Sequence, residues 1–206
     1  EQWYNMNKAK NLTEFKSAMM MMEIPMFNTV YADKSGNIFY VYNGLIPKRS
    51  PNYSWDEILP GNNSSLIWTD YYSFDELPQS TNPASGYLQN CNSTPYLATV
   101  GEGNPTKTLP SNTGIEEYQT NRAFRANELF GSDNSISKND FYKYKYDTYY
   151  SNNSVMAFAR DKFISEFSTD DPKLVGALKV LKEWDLGNQK TNTGAAIANL
   201  TFKLTY

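Results

Sequence analysis

The sequence predicts an α+β fold, with strands and irregular segments in the first half and helices in the second. Three observations carry this expectation. Residues 27–44, FNTVYADKSGNIFYVYNG, read as two short strands closed around turn residues. Beyond residue 113, helix-start signals recur ahead of apolar residues spaced three and four apart. The two kinds of element do not alternate, which argues against βαβ units.

Taken in order, Asn11-Leu-Thr-Glu14 has the form of a capping box, with Glu14 reaching back to the first turn. Leu12, Phe15, Ala18, Met19 and Met22 follow at helical spacing, so a helix is predicted over 12–22, ended by Pro25. The hairpin comes next. Its turn is Asp33-Lys-Ser-Gly36, where Gly36 is free to take positive φ and Asp33 to bond nearby backbone. With Asp33 opposite Asn37, the register places Asn28 across from Tyr42. Residues 45–83 are broken by Pro47, Pro51, Pro60, Pro78 and Pro83. Trp55, Ile58, Leu59, Ile67, Trp68, Tyr71, Tyr72, Phe74 and Leu77 are embedded there, so this loop is expected to pack on something. A further strand is predicted at 86–91 and an exposed connection over 97–112.

In the second half, Thr113-Gly-Ile-Glu116 reads as another capping box, leading a helix through Ala123, Ala126 and Leu129 to Gly131. Ser137 to Asp140 caps the next, which carries Phe141, Tyr144 and Lys145. Residues 155–167 place Phe158, Ala159, Phe163 and Phe167 on one side. Asp171-Pro172 starts a helix whose apolar stripe is Leu174, Ala177, Leu178, Leu181 and Trp184. Residues 195–202 give a last apolar stretch. The whole of 1–206 is read as a single partial domain, with 1–95 as its strand and loop part and 113–206 as its mainly helical part.

Composition then narrows the chemistry. The 206 residues hold 40% hydrophobic side chains, enough for a core, and carry a net charge of −3 with both signs interspersed. No basic stripe exists, so nucleic acid is not an expected partner. The longest apolar run, residues 18–22, is far too short to span a membrane, and the start of the chain does not resemble a signal peptide. There is no histidine and one cysteine, Cys91. A Ser-His-Asp triad, a Cys-His pair and nearly all zinc sites are thereby excluded from this chain alone. Catalysis here has to use carboxylates, lysine, amides, arginine or an α-amino group.

Two residues stand out as site candidates. Asn28 sits at the head of the first strand, where its amide either donates to a developing negative charge or satisfies strand-end backbone. Arg49, in Ile-Pro-Lys-Arg-Ser-Pro, is stiffened by proline on both sides; it reads as a held guanidinium or as a solvated loop residue. Cys91 lacks a base and reads as a small buried residue. Asn90 and Asn92 beside it line a polar site or satisfy an irregular turn. Asp170, Asp171, Asp56 and Glu57 offer carboxylates, with Asp171 accounted for as a helix cap. Asp33 and Asn37 lack the further acidic spacing of a calcium loop. The tyrosines from 142 to 150 are helical core and rim residues more naturally than a sugar platform.

A family resemblance adds to this reading. WYNMNKAKNLTEF, IPMFNTVYADKSGNIFYVYNGLIPKR and LPGNNSSLIWTDYYSFDELPQSTNPASGYLQNCNSTPY resemble the penicillin acylase family, which includes acyl-homoserine-lactone acylases. TNRAFRANELF, ISKNDFYKYKYDTYYS and LKEWD with TGAAIANLTF continue the likeness in family order. The resemblance implies an N-terminal-nucleophile hydrolase with an αββα sandwich, of which this chain is an interior piece of the β subunit. There the nucleophile is the first residue of that subunit, and its own α-amino group serves as the base, so histidine is not needed. Asn28 matches the asparagine whose amide completes the oxyanion hole, and Arg49 the arginine that orients substrate and catalytic groups. Asn90 and Asn92 match a motif to which the resemblance assigns no role.

The nucleophile is not in this sequence, so the resemblance implies a chain inactive by itself. Its partners are then the rest of the acylase precursor and a small N-acyl amide. The isolated piece is expected to self-associate through apolar surface. A bacterial periplasmic or extracytoplasmic location follows from the resemblance, as does structural calcium in the full-length enzyme; no convincing calcium ligand set occurs here, and no cofactor is expected. The alternatives are a non-enzymatic extracytoplasmic glycan-binding domain and a catalytically degenerate homologue.

Overall fold

The hairpin forms as its turn residues dictate. Phe27–Ala32 (β1) and Ile38–Asn43 (β2) pair antiparallel, and Asn28 lies opposite Tyr42. Asp33 Oδ1 accepts from the backbone N–H of Ser35 and Asn37, while Gly36 takes a φ of +87°. The Asn37 side-chain amide also donates to Asp33, and these bonds hold its carboxyl below the usual range. A third strand, Gln79–Thr81 (β3), pairs with β2, so β1 is an edge of the sheet among the described residues. The computed structural model describes residues 1–202.

Side chains alternate between the faces of this sheet. Tyr31, Phe39 and Val41 share one face, where the Phe15 ring packs tilted against Tyr31 at 4.7 Å and Lys16 Nζ sits 4.4 Å over the Phe39 ring. Phe15 and Lys16 belong to a helix, Leu12–Met19 (α2), capped as expected by Asn11, whose Oδ1 accepts from Glu14 N–H. It ends short of residue 22 because the chain turns sharply, with Met22 at φ +50°. The helix before it, Gln2–Lys8 (α1), has no start signal, since Glu1 supplies no side-chain cap. Gln2 is buried and fixes α1: its Oε1 accepts from the N–H groups of Glu23 and Ile24. The opposite face of the sheet carries Asn28, Tyr40 and Tyr42.

Contacts group the chain into two compact units, Glu1–Gln119 and one that begins at Thr120. In the first, several expectations fail for local reasons. No strand forms at 86–91; Gly86 takes φ +74°, and the segment folds back so that Gln89 N–H donates to the Ala98 carbonyl. The connection over 97–112 is only partly exposed, since Ala98, Thr99 and Leu109 are buried. The loop over 45–83 packs through Phe74 and Leu77 but leaves Ile58, Ile67 and Trp68 exposed. Thr113 does not cap a helix. It closes a 3₁₀ turn, Ser111–Thr113, after which Gly114 adopts φ +80°. Glu116, cast as the partner in that capping box, instead accepts from the Tyr42 hydroxyl.

The second unit is helical. Asn121–Gly131 (α3) starts later than predicted, capped by Thr120. Lys138–Lys145 (α4), Val155–Glu166 (α5) and Pro172–Lys182 (α6) follow, capped by Ser137, Ser154 and Asp171, and Thr193–Phe202 (α7) comes last. Arg125 makes a fork to both carboxylate oxygens of Asp147, at 2.9 Å each, and a third bond to Glu128. The core comprises Met156, Ala157, Leu181, Trp184, Leu186, Ala195 and Ala198. On α5 it is Met156 and Ala157 that are buried, whereas Phe158, placed on the core side by spacing, is 67% exposed. Within α6, Leu181 is buried and Leu174 half exposed.

Candidate active site

Asn28 is half-buried near the start of β1, and its side chain bonds no backbone group among the described residues. Its Oδ1 accepts from the Tyr40 hydroxyl at 2.6 Å. Tyr40 stands two residues before Tyr42 on β2, so strand periodicity puts its ring on the face that Asn28 occupies. With the carbonyl end engaged, the donating end of the amide, Nδ2, is uncommitted among the described residues. That geometry suits an acceptor arriving from outside the chain. It does not suit a strand-end asparagine that caps its own backbone.

Tyr40 is itself fixed. The residue is fully buried, and Asn90 Nδ2 approaches its hydroxyl at 3.4 Å. Burial drives the Tyr40 phenol far above the usual tyrosine range, so it stays a neutral donor. Burial likewise raises Tyr42, whose hydroxyl donates to Glu116 Oε2 at 2.9 Å. Asn90 is held by its own turn: its Nδ2 donates to the Ser93 carbonyl at 3.0 Å and its Oδ1 accepts from Asn92 N–H at 2.9 Å. Asn92 supplies the bend, with φ +56°, a conformation that asparagine tolerates better than most residues. Cys91, between them, is half-buried rather than fully buried.

Arg49 is not a solvated loop residue. Its guanidinium lies against two indoles, 5.5 Å from the Trp55 ring centre and 5.2 Å from that of Trp68. Asn112 clamps it from the other side: Arg49 Nη1 donates to the Asn112 carbonyl at 3.0 Å, and Asn112 Nδ2 donates back to the Arg49 carbonyl at 3.1 Å. Gly114 is needed beside it, because a Cβ there would sit 3.1 Å from Nη1 and the backbone has φ +80°. Among the described residues no carboxylate pairs with Arg49, and its Nε is buried without an acceptor. A cation so held, with donors to spare, fits an incoming acceptor.

The segment over 112–116 therefore touches Arg49 through Asn112 and Gly114, and Tyr42 through Glu116. No hydrogen bond joins Arg49 to Asn28 among the described residues. Tyr40, Trp55, Trp68, Asn112 and Glu116 were not picked out as site residues by the sequence. Only Tyr40 had a readable signal, because the register that set Asn28 against Tyr42 also sets Tyr40 diagonally across from it. Among the described residues no group of three or more His, Cys, Asp or Glu gathers to hold a metal ion, and no helix is long and apolar enough to cross a membrane.

The chain belongs to the penicillin amidase family, whose model matches residues 1–205. It is 33% identical over 93 residues to penicillin G acylase of Escherichia coli, a match that covers 45% of this chain and 11% of that protein. It is also similar to the structure of a thermostable penicillin G acylase from Alcaligenes faecalis, in its orthorhombic form. There the TM-score is 0.70 and the identity 26%, over 92% of this chain and 32% of that one. The chain thus spans well under half the length of these relatives. Penicillin acylases are hydrolases that act on amide bonds.

Proposed function

We propose that this chain is an interior part of the β subunit of an N-acyl amide hydrolase, contributing Asn28 and Arg49 to a site completed by polypeptide outside it. The attacking group is the hydroxyl of an N-terminal serine, with the adjacent α-amino group accepting its proton. Attack on the amide carbonyl makes a tetrahedral oxyanion, which accepts a hydrogen bond from Asn28 Nδ2. Collapse expels the amine and leaves an acyl-enzyme, which water then hydrolyses. Arg49 orients the substrate through its free donors. The single observation that carries this reading is the Asn28 amide, with its carbonyl end satisfied by Tyr40 and its donating end open.

In this reading the sheet belongs to an αββα sandwich, and the open edge of β1, with Phe27 and Val30 each 53% exposed, is covered by neighbouring strands of the precursor. The isolated chain then self-associates through that surface. We place the enzyme in the bacterial periplasm or another extracytoplasmic compartment.

The test is an assay with a chromogenic N-acyl amide. The complete gene product turns it over with a burst of acyl-enzyme, and the 206-residue chain alone does not. Turnover by the chain alone that disappears with Asn28→Ala would overturn the assignment of the nucleophile to other polypeptide. A complete product that lacks a serine behind a self-cleavage site and turns over nothing would be the degenerate homologue. Oligosaccharide binding by calorimetry in such a product would favour the glycan-binding alternative.

A further inference from the structure

We infer that Tyr40 is a positioning residue for the proposed reaction: with Asn90 behind it, its hydroxyl sets which end of the Asn28 amide faces the substrate. This rests on the reading of Asn28 as an oxyanion donor. Rotation of an asparagine amide by half a turn exchanges Oδ1 and Nδ2 at little steric cost, because that torsion is broad and nearly two-fold. The two orientations are opposite in effect, since one presents N–H groups to an oxyanion and the other presents a carbonyl oxygen that repels it. An amide on an edge strand therefore needs something that tells its two ends apart.

The Tyr40 hydroxyl does this, because it has a single proton and that proton has one destination. Asn90 Nδ2 can only donate, and it reaches the Tyr40 oxygen at 3.4 Å, so the Tyr40 proton is turned away from it. The proton points to Asn28, 2.6 Å away, where only Oδ1 can receive it. The sense of the chain is then fixed from one end to the other, Asn90 to Tyr40 to Asn28, and Nδ2 of Asn28 is left facing outward. Asn90 has no freedom to reverse, since its Oδ1 is taken by Asn92 N–H and its Nδ2 also serves the Ser93 carbonyl. Tyr40 is fully buried, and its hydroxyl does not ionise in any ordinary pH range, so the relay holds across the working range of an enzyme. Asn90 and Asn92 thereby acquire a role: they build the turn that aims a donor at Tyr40.

The test pairs kinetics with a spectrum. In the complete gene product, Tyr40→Phe keeps the ring and removes only the hydroxyl. A lost neutral hydrogen bond predicts a fall in kcat of about 3- to 10-fold with KM little changed. The double variant Asn28→Ala with Tyr40→Phe is expected to be no slower than Asn28→Ala alone, because an orienting group has no effect once the oriented group is gone. In the chain itself, nuclear magnetic resonance of the Asn28 side-chain amide supplies a readout independent of activity. Tyr40→Phe shifts and broadens those signals, while Tyr31→Phe, on the other face of the sheet, leaves them in place. Unmoved Asn28 signals in Tyr40→Phe, or losses that multiply in the double variant, would overturn the inference. If the signals move and Asn28→Ala keeps full activity, the relay stands and the oxyanion assignment fails.

Discussion

Replacing Asn28 by alanine in the complete gene product is expected to lower kcat on an N-acyl amide by about 10²–10³-fold, with KM nearly unchanged. The size follows from what the amide does in the proposed reaction. In the ground state the substrate carbonyl is neutral, and a hydrogen bond to it adds little beyond what water gives. In the transition state the same oxygen carries developing charge, and a preorganised donor facing it contributes about 3–4 kcal/mol. The loss therefore falls on kcat. Folding is not expected to change much, because Asn28 is half-buried on β1 and, among the described residues, its one side-chain bond is to Tyr40. Steady-state kinetics together with a thermal melt separate the two effects. A variant that keeps kcat within a few-fold, or one that loses activity only because it unfolds, contradicts the role assigned to Asn28.

The largest stability effect is expected from Trp184→Ala, which should destabilise the folded chain by about 3–5 kcal/mol. Trp184 is only 4% exposed, and its ring meets Tyr150 edge-on at 5.8 Å. Its indole N–H donates to the Gly187 carbonyl at 2.8 Å, a bond that no smaller apolar residue replaces. The start of α7 is built against this ring, for a Cβ on Gly194 would fall 2.6 Å from Trp184 Cδ1. Truncation leaves a void that α6 and α7 cannot close without shifting Gly194 and the turn at Asp185, whose carboxylate holds Gly187 N–H and the Asn192 amide. Urea denaturation of the chain should show a lower midpoint with a similar slope. A midpoint within about 1 kcal/mol of the original, by the same linear extrapolation, would show that the ring is not a keystone of that core.

Those two positions also illustrate what a single sequence discloses. Trp184 was legible as a core residue from the apolar stripe behind an Asp-Pro start, although the helix that was expected to carry it ends at Lys182 and the ring is buried from the turn beyond. The hairpin was legible for the same kind of reason: Asp33 and Gly36 are turn chemistry, and the alternating strands that flank them fix the register that sets Asn28 opposite Tyr42. Where local signals competed, the reading failed. Thr113 and Glu116 have the spacing of a capping box, yet Gly114 takes a left-handed conformation and Glu116 is claimed by a tyrosine 74 residues away. The third strand was missed since Gln79 and Ser80 have no apolar alternation and owe their conformation to pairing with β2.

For the site, Asn28 and Arg49 were visible as candidates, but nothing local decided between a working group and an idle one. The resemblance supplied the direction, and long-range contacts supply the geometry. Trp55, Trp68 and Asn112 converge on Arg49 from a proline-broken loop and a distant turn, and no periodicity announces such a meeting. Asn90 reaches Tyr40 from 50 residues away.

The most direct measurement is a crystal structure of the complete gene product covalently inactivated by phenylmethylsulfonyl fluoride, whose sulfonyl oxygen stands in for the tetrahedral oxyanion. Asn28 Nδ2 is predicted to lie about 2.7–3.1 Å from that oxygen, with the Tyr40 hydroxyl still bonded to Oδ1. An adduct oxygen more than about 3.5 Å from Nδ2, or an amide turned to present its carbonyl, would contradict the account.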